Sequence, residues 1–98
     1  MRVISQQPLK EFWERHPDSK EWLRTWYRVA SENSWRHLLD VREHYSSAEV
    51  VRGVEKLTVF NVCGNKYRMV VRIRYDWQLI NVRCVLTHEQ YDAGSWRD

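Results

Sequence analysis

The spacing of apolar residues changes once along this chain, near Lys56, and that change restricts its folding more than any other feature. Before it, apolar side chains return every three to four residues, the period of a helix with one buried stripe. After it they return every second residue, the period of a strand with one buried face. Helices first and strands second predict an α+β fold, with helices laid on a sheet rather than alternating with its strands.

The helical half divides at its breakers. Residues 1–5 form a short β-type run, and Pro8 then stands where a first helical turn accepts proline. Leu9, Phe12, Trp13 and His16 keep helical spacing until His16-Pro17, where the residue before proline is pushed out of the α region. Asp18 and Glu21 have the spacing of a capping box for a second helix, whose stripe reads Trp22, Leu23, Trp26, Tyr27 and Ala30. Ser34 is placed to cap a third helix carrying Trp35, Leu38, Leu39, Arg42 and Tyr45. Trp13, Trp22, Trp26 and Trp35 therefore belong to core stripes, whereas Trp77 in a turn and Trp96 in a polar, frayed tail are placed for the surface.

In the second half, residues 57–62 are β-branched and aromatic, Cys63-Gly64 is a turn, and residues 65–75 alternate. Tyr67, Met69, Val71, Ile73 and Tyr75 share one side; Lys66, Arg68, Val70, Arg72 and Arg74 share the other. After a turn near Trp77, residues 79–87 form a last strand and residues 88–92 a short helical turn. In that strand Ile80, Val82, Cys84 and Leu86 are apolar while Asn81, Arg83 and Thr87 are not, so burying both apolar sets together sets Arg83 beside Arg68 and Arg72. Between Lys56 and Leu86 six basic residues (Lys56, Lys66, Arg68, Arg72, Arg74, Arg83) meet one acid, Asp76. Same-sign neighbours across strands repel by a few tenths to about 1 kcal/mol each, and an ordinary solvated face mixes both signs. A face that does not suits a polyanion, because arginine forks match phosphate oxygens.

Composition narrows the class further. Ninety-eight residues make one domain, 1–98, and 43% hydrophobic with 13% aromatic content excludes disorder. A net charge of +3 permits a nucleic-acid partner without demanding one. Cys63 and Cys84 stand far apart with no CxxC, which argues against a zinc cluster or a disulfide framework. No apolar run approaches the ~20 residues of a bilayer span, and the amino-terminal residues lack a signal-peptide pattern, so no membrane role and a cytoplasmic location are expected.

Val59-Phe60-Asn61-Val62-Cys63-Gly64-Asn65-Lys66-Tyr67-Arg68 resembles the Val-Phe-Asn-Val/Ile-Gly-Gly-Asn-Lys-Tyr/Phe-Arg motif of HigB-type toxins, with Cys63 where a first glycine is usual. Thr87-His88-Glu89-Gln90-Tyr91-Asp92 is similar to that family's closing Thr-His-x-x-Tyr-Asp. Trp35, Asp40-Val41-Arg42 and Ser47-Ala48-Glu49-Val50-Val51 stand at matching spacing between them. The resemblance implies a RelE-like fold, with an amino-terminal strand and about three helices on one face of a mostly antiparallel sheet. It also implies an mRNA interferase of a type II toxin-antitoxin system that cuts transcripts on the ribosome. Its partners would be mRNA, ribosomal RNA and a HigA-type helix-turn-helix antitoxin, with DNA reached only through that antitoxin. The alternative is a non-catalytic RelE/ParE-like binding module, such as a gyrase-directed toxin like the ParE relatives or an inactive toxin that acts only as the partner of its antitoxin.

Cutting RNA without metal or cofactor needs the 2′-hydroxyl as nucleophile, a base, cations for the phosphorane, and an acid for the leaving oxygen. Arg68 and Arg83 are the candidates for the phosphorane, with Lys66 as a third cation. His88 and Tyr91, three apart, would share one face of a helical turn and act as acid, base or stacking group. Lys56, Arg72 and Arg74 are the candidates for holding more of the RNA, and Asp92 is expected to cap the turn rather than orient His88.

Overall fold

A computed structural model describes residues 1–53 and 55–97. Strand β1 (Arg2–Ile4) leads into α1 (Gln7–Arg15), a 3-10 turn (Pro17–Ser19), α2 (Lys20–Glu32) and α3 (Leu38–His44). Strands β2 (Glu49–Arg52), β3 (Lys56–Val62), β4 (Tyr67–Arg74) and β5 (Leu79–Thr87) follow, then α4 (His88–Ala93) and a closing 3-10 turn (Ser95–Arg97). The architecture is α+β and RelE-like. The five strands lie in the order β1-β5-β4-β3-β2, antiparallel except where β1 runs parallel to β5.

Two expected helix caps are not formed. Asp18 does not cap α2: Ser19 is the N-cap without a side-chain bond, because the Asp18 carboxylate accepts from Lys66 and from Tyr67 instead. Ser34 does not cap α3 either: the N-cap is His37, and Asp40 reaches back to the Arg36 backbone N–H at 2.8 Å. At α2 partners from elsewhere in the fold outcompete the local cap, and at α3 a different local bond, from Asp40, takes the first turn.

The inner face of the sheet carries the main core. Leu9, Phe12, Leu23, Trp26, Ala30, Trp35 and Val41 from the first half pack on Phe60, Val62, Met69, Val71, Ile80, Val82 and Val85. Trp26 crosses Phe60 edge-on at 5.6 Å, and Tyr45 meets the same ring from another side at 5.5 Å. Trp13 and Trp22 are partly buried against this core, as their helical stripes require.

The outer face is not purely cationic, which corrects the sequence expectation. Leu57, Val59 and Val70 form a second, smaller core there with Val51, Cys84, Leu86, Tyr91 and Trp96. A bulge in β5 adds Cys84 and Leu86 to it. Val70 pairs with Cys84 but Val71 pairs with Val82, leaving Arg83 without a partner residue. A bulge adds one residue and shifts the alternation. Val82 therefore faces the inner core, Cys84 and Leu86 turn outward, and Val85 takes their expected place inside. Strand β2 was not legible as a strand; it pairs with β3 from Glu49↔Val59 to Arg52↔Lys56 and forms one sheet edge. The tail is likewise not frayed, because Trp96 stacks on Tyr91 at 4.9 Å and donates its indole N–H to the Tyr91 carbonyl at 2.8 Å.

Candidate nucleic-acid interface

Helix α4 begins where β5 ends, and its start is held by a complete capping box. The Thr87 hydroxyl accepts from the Gln90 N–H at 3.2 Å, while the Gln90 side chain accepts from the Thr87 N–H at 3.0 Å. Gly94, at φ +80°, ends the helix in the left-handed conformation and sends the chain back over the sheet. This return lays Tyr91 and Trp96 on the outer core and brings Arg97 and Trp96 against β2, β3 and β5. They wall a hollow of about 160 Å³ with Val51, Arg52, Glu55, Leu57 and Arg83.

The predicted cations separate into three settings. Arg83 and Arg72 come together through an acid: Glu55 forms an ion pair with Arg83, and its other oxygen lies 3.8 Å from the Arg72 Nε. Arg68 stands opposite Leu86 rather than beside Arg83. Its guanidinium donates to the Asn65 side chain at 2.6 Å and the Tyr67 carbonyl at 3.1 Å, and lies 5.6 Å from the centre of the Tyr91 ring. Lys66 is not beside Arg68 at all. It belongs to the turn between β3 and β4 and pairs with Asp18 at the start of the helical layer.

Among the residues expected to hold further RNA, Arg74 is occupied at the β4–β5 turn. It donates to Asp76 at 3.2 and 2.9 Å and covers the exposed Trp77 ring at 4.0 Å. Lys56 is exposed at the start of β3, paired in register with Arg52. His88 and Tyr91 do lie on the same short helix, in different company. The His88 Nδ1 is 3.0 Å from Asp92, so Asp92 orients His88 and Thr87 does the capping, the reverse of the expectation. Burial raises the Tyr91 hydroxyl above its ordinary pKa, with the neighbouring Glu49 adding to the shift while Arg97 and Arg68 oppose it. At neutral pH Tyr91 is therefore a protonated donor, not a base.

Glu55 is the residue that sequence reasoning passed over. The charge count between Lys56 and Leu86 stops one position short of it. With it the outer face holds Arg72, Arg83, Arg52 and Arg97 around one carboxylate, with Trp96 as an aromatic wall. Such a face can grip one phosphate through guanidinium forks and shelter one ring beside it. Among the described residues, no three His, Cys, Asp or Glu side chains gather as a metal site requires.

An α+β domain with helices on one sheet face and a short carboxy-terminal helix beside arginines on the other is the arrangement of RelE-like toxins. Residues 19–94 match the HigB_toxin family, the RelE-like toxic component of a toxin-antitoxin system, and the chain belongs to that family. It is 28% identical over 92 residues to the mRNA interferase toxin HigB of Escherichia coli K12, covering 94% of this chain and 88% of that one. The same figures hold for the mRNA interferase HigB of Shigella flexneri. A third relative, the mRNA interferase HigB of Escherichia coli O6:H1, is 25% identical over 92 residues, covering 94% of this chain and 89% of the relative. Among the described residues no helix is long and apolar enough to cross a membrane.

Proposed function

We propose that this chain is an endoribonuclease toxin that cuts mRNA by attack of the 2′-hydroxyl on the adjacent phosphate, on its outer sheet face. The observation that carries this reading is that Arg72 and Arg83, joined through Glu55 on the outer face, already hold one anion and keep further guanidinium nitrogens free of that ion pair for a phosphate beside it. Guanidinium stays charged and offers paired donors, so it stabilises the extra negative charge of a phosphorane more than that of the starting diester. Arg68, over Tyr91, takes a neighbouring phosphate or base. Tyr91 and His88 are the proton donors available to the leaving 5′ oxygen, on the helix that borders the site.

The name mRNA interferase, carried by the E. coli and Shigella relatives, supports this substrate. Cleavage of transcripts during translation in the cytoplasm, with the ribosome contributing binding surface, fits the small size of the protein site. Silencing by a HigA-type helix-turn-helix antitoxin completes the reading, in keeping with membership of a toxin-antitoxin family. Arg83→Ala is expected to abolish growth arrest and lower cleavage about 100-fold or more, the usual effect of losing one preorganised donor. Primer extension on induced transcripts measures it, with circular dichroism confirming the fold. Growth arrest by the wild-type chain with every transcript intact would overturn the reading in favour of a non-catalytic toxin.

A further inference from the structure

Glu55 is the acid held at the heart of the arginine cluster, and nothing in the family motifs of this chain includes it. Resting on the ribonuclease reading above, we infer that Glu55 is the group that takes the proton from the attacking 2′-hydroxyl. A general base must lie within hydrogen-bond reach of the proton it removes, so geometry decides before acidity does. The Glu55 carboxylate contacts Arg83 with one oxygen and lies 3.8 Å from Arg72 with the other. A phosphate held by those same two guanidiniums is therefore against Glu55, and so is the 2′-hydroxyl, which sits on the ribose carbon next to the one whose oxygen carries that phosphate.

The two anions do not exclude each other. Each guanidinium carries five N–H groups in a fixed fork, and the ion pairs occupy one nitrogen of each: Nη2 of Arg83 and Nε of Arg72. Arg52 and Arg97, lining the same hollow, add positive charge that offsets the repulsion between phosphate and carboxylate. Glu55 is 33% exposed on its side chain, enough to be reached and not enough to be a free surface acid. Of the other groups on this side, His88 is turned to Asp92 at 3.0 Å, Tyr91 is a protonated phenol held up by burial, and Glu49 lies near Tyr91, whereas Glu55 is the carboxylate paired with Arg72 and Arg83.

The step balances as follows. The 2′-O–H proton passes to a Glu55 oxygen as the 2′-oxygen bonds to phosphorus; the P–O5′ bond breaks, and the 5′ oxygen takes a proton from Tyr91, His88 or water. The products are a 2′,3′-cyclic phosphate and a 5′-hydroxyl end; the Glu55 carboxyl returns its proton to solvent, and the side chain that protonated the leaving oxygen regains one from it.

Glu55→Gln separates this role from that of a mere counter-ion. It keeps the size and hydrogen-bonding shape of the side chain and removes its charge. As the base, its loss lowers single-turnover cleavage of an RNA substrate roughly 100-fold or more while RNA binding is unchanged or tighter. The acid limb of the wild-type rate profile, where the carboxylate gains a proton, is absent from the residual activity of the variant. Glu55→Asp retains that limb at an intermediate rate, and serves also if the Gln variant folds poorly. Wild-type cleavage rates in Glu55→Gln, or parallel loss of RNA binding and cleavage in both variants, would overturn the assignment. A wild-type chain that does not cleave RNA fails the ribonuclease reading itself, a result distinct from both.

Discussion

Lys66 and Tyr67 show how one motif divides between two tasks. Asn65 and Arg68 face the outer surface together, whereas Lys66 and Tyr67 bind Asp18 from the helical layer, the tyrosine hydroxyl donating at 2.9 Å. This contact sits at the start of α2 and ties the β3–β4 turn to it. Lys66 therefore reads as a strut of the fold, not as a third cation for RNA. The Lys66 and Tyr67 hydrogen bonds hold the Asp18 carboxyl below its ordinary pKa, and Asp18 holds the Lys66 ammonium above its own. A lowered carboxylate contributes stability above its unfolded pKa and loses it as pH falls through the folded one; a raised lysine contributes below its unfolded pKa and loses it as pH rises through the folded one. The tie is thus whole at neutral pH. Asp18→Asn is expected to melt below wild type at pH 7, and the gap should close as the pH is taken down through the acid range. A gap that stays constant in thermal melts across that range would show that the charge of Asp18 contributes nothing. No spacing rule marks Asp18 for this role, since its best local use, capping, is a sound reading until Lys66 and Tyr67 arrive from 48 and 49 residues away.

At the scale of elements, most of the strand half was legible and its register was not. The alternation in residues 65–75 gave the faces of β4 correctly, and the run at residues 79–87 gave the extent of β5. What alternation cannot encode is an extra residue, and the bulge at Arg83 turned Cys84 and Val85 to faces opposite those expected. Strand β2 was missed because a four-residue edge strand is too short for a period to register. The turn at Cys63 carries a checkable strain: its φ is +54°, followed by Gly64 at +70°, in a chain whose relatives' motif places glycine at both. The left-handed region costs an L-residue roughly 1–2 kcal/mol and is worst for β-branched side chains. Cys63→Val should therefore be less stable than Cys63→Gly by about that amount, read from denaturant midpoints. Thr87→Ala removes the α4 cap and should cost about 1 kcal/mol. Because α4 carries Tyr91 over the outer core, that variant should also weaken cleavage, measured on the same RNA as the Arg83 variant.

For the molecule as a whole, the fold class and its family came from the change of period and two motifs, while the arrangement of the candidate site came from tertiary structure. Arg68 and Arg83 were expected side by side and stand apart, two residues of β5, Cys84 and Val85, separating Arg83 from Leu86 opposite Arg68. The outer face then offers a run of cations, Arg68 at one end and Arg72, Arg83, Arg52 and Arg97 at the other, long enough to meet successive phosphates. Binding to single-stranded RNA should weaken with salt at a log–log slope of about −0.7 per phosphate held, and Arg83→Ala should reduce that slope by about one such step. Identical slopes in wild type and variant would remove Arg83 from the phosphate contacts.

The parallel pairing of β1 with β5, from Arg2↔Leu79 to Ile4↔Asn81, joins two segments 77 positions apart in the chain. A ribosome makes β1 long before β5 exists, and until β5 arrives that strand has no partner in the sheet. Arg83 lies only two residues beyond the last of those pairs. Pairing of β1 and arrival of Arg83 therefore fall close together in synthesis, so a chain stopped before β5 lacks both.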